Sequence, residues 1–151
     1  MIKIICIGKI KEKFFKEAIE EYLKRLSKYT KIELVELQDI ANDNINIILE
    51  KEIDLILNKI KEKDYIITLE IEGEEINSLE LSDKIDKSLI SNSNITFIIG
   101  GSYGLHQDIK NISNYKLSFS KLTFPHQLFR IMLLEQIYRS FKILNNETYH
   151  K

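Results

Sequence analysis

The segment 125–144 constrains the fold most. Leu128, Phe129, Ile131, Met132, Leu133, Leu134, Ile137, Tyr138, Phe141, Ile143 and Leu144 run through it with no internal proline or glycine. A helix with one apolar stripe needs fewer such residues, and a helix apolar around most of its circumference must be covered on several sides. In a chain of 151 residues, one of those covers is expected to be another subunit. Arg130, Glu135 and Arg139 interrupt the apolar surface. They act either as internal salt bridges or as groups that orient a neighbouring segment or bind phosphate.

Upstream, short apolar runs alternate with longer amphipathic ones. Ile2–Ile7 reads as a buried strand ending at Gly8. Phe14, Phe15, Ala18, Ile19, Tyr22, Leu23 and Leu26 recur at three- and four-residue spacing and predict a helix over 12–28. A second strand is expected at Ile32–Leu37, then a helix over 46–60 with Asn42, Asp43 and Asn44 as cap candidates. A third strand is predicted over 65–71, with a turn at Glu72-Gly73, then a helix over 78–90. The unbroken apolar run 95–99 predicts a central strand covered on both faces. A short helix over 107–112 and a strand over 115–119 precede the last helix. This order predicts an α/β fold with a mainly parallel sheet, in one domain over 1–151. The pattern by itself suggests a Rossmann-like open sheet.

Charge and cysteine content narrow the function classes. The net charge of −1 argues against a protein that coats nucleic acid. Its distribution is uneven. Residues 1–31 carry nine Lys/Arg against four Asp/Glu, and residues 110–151 seven against two. Residues 32–109 carry six against seventeen. The basic ends are either solvated helix faces or, if they meet in space, one basic surface. Cys6 is the only cysteine and lies among apolar neighbours, which fits a small buried side chain. No apolar run reaches bilayer-spanning length, and the first residues lack a signal-peptide layout, so a cytoplasmic protein is expected.

Several segments can carry chemistry. In Phe97-Ile-Ile-Gly-Gly-Ser-Tyr-Gly-Leu105 a buried strand ends in glycines. Such an end is either an ordinary turn or a place where backbone approaches a ligand at the carboxyl edge of a sheet. It is neither GxGxxG nor a GxxxxGK[ST] phosphate loop. Ser118-Phe-Ser-Lys-Leu-Thr-Phe-Pro125 is either a capped helix start or a loop whose backbone surrounds a small ligand, with a helix N-terminus that favours a carboxylate. His106, His126 and His150 show no metal-ligand spacing, and no GxSxG is present. Tyr149-His150-Lys151 places an aromatic, an imidazole and an amine side by side.

The order of these segments resembles the RlmH family of SPOUT-class methyltransferases. The likeness runs through Gly8-Lys-Ile-Lys, Phe15 and Glu21-Tyr-Leu-Lys-Arg25. It continues through Thr68-Leu-Glu-Ile-Glu-Gly73, Phe97–Leu105 and the closing Leu117–Lys151. Thr148 stands where the family commonly has Pro, and Lys151 where it has Arg. The resemblance implies a SPOUT fold with a C-terminal trefoil knot, acting as a homodimer. It implies methyl transfer from S-adenosylmethionine to N3 of a pseudouridine in 23S rRNA of the assembled ribosome, without metal or membrane. By position, the cofactor contacts are Leu69, Gly101, Ser120, Lys121, Leu122, Thr123, Phe124 and Pro125. Arg139, Tyr149 and His150 are the candidates for catalysis, with His150 as proton acceptor. Arg139, Tyr149 and Lys151 are the candidates for RNA contact. A non-catalytic ribosome- or RNA-binding dimer of the same fold is the alternative, and a small nucleotide-binding enzyme fits the fold pattern alone.

Overall fold

A computed structural model describes residues 1–151. Five strands alternate with five helices: β1 (Ile2–Ile7), α1 (Lys13–Leu26), β2 (Ile32–Leu37), α2 (Ile45–Leu57), β3 (Asp64–Glu75), α3 (Ser78–Ser91), β4 (Asn94–Ile99), α4 (Gln107–Asn111), β5 (Tyr115–Ser118) and α5 (His126–Leu144). All neighbouring strands pair in parallel, in the order β2-β1-β4-β3-β5. The run expected to be central is central: β4 lies in the middle, and Ile95 through Ile99 are buried.

Period-2 alternation assigns the two faces. Ile2, Ile4 and Cys6 of β1 join a core with Phe97, Leu81 and Ile85 of α3, and Leu133, Ile137 and Phe141 of α5. Ile5 and Ile7 point the other way, toward Ile56 of α2 and Ile109 of α4. Helices therefore cover both faces, as parallel strands require. Cys6 is fully buried, and burial pushes its thiol up to about 12, so it packs as a small apolar group.

Local chemistry explains where helices start. Asn44 accepts the N–H of Asn46 to cap α2, and Asn77 with Glu80 forms a capping box on α3. The helix expected over 46–60 stops at Leu57. Lys59 and Ile60 instead make tight-turn bonds to Ile56 and Leu57. Pro125 occupies the N-cap of α5, with extended backbone, and no side chain caps this helix.

β3 differs most from expectation. It continues through Glu72-Gly73 to Glu75, and both Leu69 and Glu74 stand opposite Leu117, so residues 70–73 loop out of register. Gly73 permits this return: a Cβ there would lie 2.8 Å from the backbone of Lys116 and Leu117.

α5 is anchored to the sheet by Arg130, which is 0% exposed. Its guanidinium donates to Glu36 Oε2 at 2.9 Å and to the Gly8 carbonyl at 3.2 Å. A buried pair broken from one side leaves the other group uncompensated. Arg130→Met should therefore lower unfolding free energy in urea by about 3–5 kcal/mol. A loss below about 1 kcal/mol, within the range of a surface pair, would contradict the anchoring role.

Candidate active site

The carboxyl ends of the strands surround a cavity of about 140 Å³. Leu69, Glu70 and Ile71 come from β3, Gly100, Gly101 and Gly104 from the turn after β4, and Phe119, Ser120, Leu122, Thr123 and Phe124 from the β5–α5 loop. His126 and Phe129 of α5 close it. Six of the eight residues expected at a cofactor line this cavity: Leu69, Gly101, Ser120, Leu122, Thr123 and Phe124. Lys121 and Pro125 stand in the same loop but outside the lining, both exposed.

The glycines have distinct duties. A Cβ on Gly100 would sit 2.5 Å from the Gly104 oxygen, so Gly100 is the sterically tightest of the set. Gly104 has a φ of 77° and donates its N–H to the Gly101 oxygen at 3.1 Å, closing the turn. A Cβ on Gly101 would lie 3.1 Å from Ile7 Cγ2. The GGxxGL pattern marked the turn, but only the packing separates the three roles.

His126 and Glu70 were not expected at this cavity. Nδ1 of His126 is 3.2 Å from Arg130 Nη2. Arginine can only donate, so Nδ1 accepts and Nε2 carries the proton. Burial and the Arg130 charge hold this imidazole below its usual range, favouring the neutral ring. Glu70 is held by Thr68 Oγ1 at 2.6 Å and by Lys110 at 3.8 Å.

These residues fit a cofactor with an apolar ring system and a carboxylate. Phe119, Phe124 and Phe129 supply an apolar wall, and Ser120 orders the loop by accepting the Leu122 N–H at 3.0 Å. The uncapped N-terminus of α5 leaves backbone donors facing the cavity region.

The residues after α5 form a second constellation. Asn146, at a φ of 53°, turns the chain back, and the Glu147 N–H bonds the Lys142 oxygen. The Glu147 carboxylate receives Lys142 Nζ at 2.8 Å and Tyr29 Oη at 2.7 Å. These partners, Lys142 foremost, pull it down to about 2. Tyr149 then donates to Glu135 Oε1 at 3.0 Å, and its ring meets Tyr138 edge-on at 5.0 Å. Arg139 covers that ring at 4.8 Å, bonds Glu135 through Nε at 3.0 Å, and reaches His150 Nδ1 at 3.2 Å. Burial and the Glu135 bond push the Tyr149 phenol up to about 12, so it stays a donor. Lys151 is exposed. Glu147 carried no visible sequence signal, because its partner Tyr29 lies 118 positions away.

The two constellations are apart within one chain. Arg139 lies ten residues beyond Phe129, or about 15 Å along the helix axis. Between them runs a groove of about 790 Å³ that includes Leu79, Ile131, Met132 and His150, and shares Leu117 and Phe119 with the cavity. The basic chain ends do meet where α1 packs on α5. Much of their charge is consumed locally by Arg25–Glu21, Lys142–Glu147 and Arg139–Glu135 pairs. No group of three or more His, Cys, Asp or Glu side chains is arranged to hold a metal ion, and no helix is long and apolar enough to cross a membrane.

Residues 1–150 match the family described as predicted SPOUT methyltransferase. Among curated proteins, the chain is 56% identical to ribosomal RNA large subunit methyltransferase H of Clostridium botulinum strain Hall, over 99% of both chains. It is 52% identical to ribosomal RNA large subunit methyltransferase H 1 of Clostridium perfringens strain SM101, with the same coverage. Among solved structures, a probable methylase family protein from Haemophilus influenzae Rd KW20 superposes with a TM-score of 0.60 at 13% identity. That superposition covers 99% of this chain and 70% of the other, and it supports the fold.

Glu52 of α2 also borders this region. It is 5% exposed, and burial together with the Asp39 carboxylate pushes it up to about 7. A carboxyl raised in the folded state supports folding while protonated and loses that support as pH rises toward 7. Glu52→Gln should therefore match the parent protein near pH 4 and exceed its stability by roughly 2 kcal/mol near pH 8. Parallel pH–stability curves from urea unfolding would show that Glu52 is not strained by its surroundings.

Proposed function

The chain belongs to the SPOUT methyltransferase family, and from that premise we propose that it methylates N3 of a pseudouridine in 23S rRNA, using S-adenosylmethionine, on the assembled ribosome. It does so as a cytoplasmic homodimer, each chain forming one domain over 1–151 with a knotted C-terminal path. The names of its relatives support ribosomal RNA as the substrate class. The observation that carries the reading is the glycine-cornered cavity at the sheet's carboxyl edge, walled by the β5–α5 loop and the start of an uncapped helix.

When bound, the cofactor supplies an electrophilic methyl group. The protein's part is then placement, since in-line transfer depends on reacting atoms held in contact. Gly101 and the loop 120–124 bring backbone against the ligand, the α5 N-terminus meets its carboxylate, and the Phe119–Phe129 wall excludes water. The acceptor N–H must lose its proton. Tyr149 is held as a donor, which leaves His150 as the acceptor, seated by Arg139. Arg139 and the exposed Lys151 offer positive charge to phosphate.

About 15 Å of helix separates this tail from the cavity of its own chain, too far for one active site. We therefore assign the cavity to one subunit and the tail to its partner. The second copy covers the groove that exposes Leu79, Ile131 and Met132. This also answers the excess apolar surface of α5.

Gly101→Val should abolish cofactor binding in calorimetry while the circular dichroism spectrum is kept. His150→Ala should keep cofactor binding and slow single-turnover methyl transfer to ribosomes by about 10²–10⁴-fold, the usual worth of a general base. Mixing the two inactive proteins after unfolding and refolding should restore about a quarter of the parent activity, because half the dimers are mixed and each holds one intact site. No recovery despite confirmed mixed dimers would overturn the shared site. A dimer that binds ribosomes but takes up no cofactor would favour the binding-module reading.

A further inference from the structure

Glu52 is the one buried carboxylate near the strand ends that lacks a partner. Asp64 is held by Lys3 at 3.8 Å, Thr96 at 2.9 Å and Asn94 at 3.1 Å. Glu70 has Lys110 and Thr68. Arg130, the buried cation at this end of the sheet, is engaged by Glu36. Around Glu52 only burial and the like charge of Asp39 act on the carboxylate, and both oppose its ionisation. A group this unfavourable is rarely left uncompensated in an interior.

Its position suggests what compensates it. Glu52 Oε1 lies 3.9 Å from the point where a side chain on Gly101 would begin, and Gly101 is a wall of the cavity. Asp39 Oδ2 lies 3.1 Å from the corresponding point on Gly8, a point that is also 3.1 Å from Cε1 of the cavity-lining His126. Two carboxylates thus back the cavity through its glycines without entering it. Their effect on a ligand is a negative field, in a region where solvent screens it poorly.

We propose that Glu52, supported by Asp39, is the counter-charge for a cationic ligand in this cavity, so that the site prefers a sulfonium cofactor to the neutral thioether left after methyl transfer. The proposal rests on the cofactor reading above and adds a selectivity to it. In the transfer, the carbon–sulfur bond breaks with its electron pair staying on sulfur, a nitrogen–carbon bond forms, and the acceptor's proton leaves to a base. The sulfur loses its positive charge at that moment. The attraction to Glu52 falls with it, which favours exchange of spent cofactor for fresh.

The test is calorimetric titration of the full chain near pH 8, where Glu52 is mainly ionised, with S-adenosylmethionine and S-adenosylhomocysteine in parallel. Glu52→Gln should weaken the sulfonium ligand by about tenfold, the scale of losing one nearby opposite charge, and leave the thioether within about twofold. Asp39→Asn should shift the same ratio in the same direction by less. Thermal unfolding checks that each variant is folded. Equal weakening of both ligands, or an unchanged ratio in both variants, overturns the counter-charge. Failure of the parent protein to bind either ligand instead removes the cofactor reading, and this proposal with it.

Discussion

The buried guanidinium of Arg130 is the contact on which the rest of the architecture turns. It lies one turn into α5 and bonds the Gly8 carbonyl at the end of β1 and the Glu36 carboxylate near the end of β2. A charge with no exposed surface tolerates little displacement, because each lost bond leaves an unpaired group in a poor solvent for it. This pins the start of α5 over the carboxyl edge of the sheet. The loop 119–125 must then arch between β5 and that fixed point, and in doing so it walls the cavity. The same guanidinium sets the tautomer of His126, so one residue defines both the frame and part of the lining.

Further along, α5 packs beside α1 and α3, and its last turns hold a different kind of order. Glu147 is clamped by Lys142 and Tyr29, and Glu135 gathers Arg139 and Tyr149. These are polar contacts at the surface or partly buried, each individually modest. Collectively they orient His150. Helix length makes the distance between tail and cavity a fixed property of the chain. A rigid rod that carries cofactor-side groups at one end and acceptor-side groups at the other can complete a site only with a second copy, and the groove between them exposes the apolar surface such a copy would cover.

Glu52 shows the opposite tendency. Other buried carboxylates here are paired, whereas this one is set against Asp39 and low-dielectric surroundings. Stability alone would replace it. Its retention is intelligible if the missing positive charge arrives with a ligand, a local strain of the sort expected where function competes with folding.

Much of the fold was legible in the residue pattern. The switch between period 2 and period 3.6 located all five strands and five helices, and the unbroken run at 95–99 identified the central strand. The glycine pair after it and the Ser-Thr-Pro loop marked two walls of the cavity. The pattern missed the excursion at 70–73, because Gly73 reads as a turn unless one knows that β5 lies 2.8 Å from where its Cβ would be. It also missed Glu52, Asp39, His126 and Glu147 as participants. Periodicity records which side chains face inward, since that depends on near neighbours. It does not record which distant residues meet. Whether Glu147 finds Tyr29, whether Glu52 lacks a partner, and whether tail and cavity share one chain are settled by long-range packing, so these features belong to the tertiary structure alone.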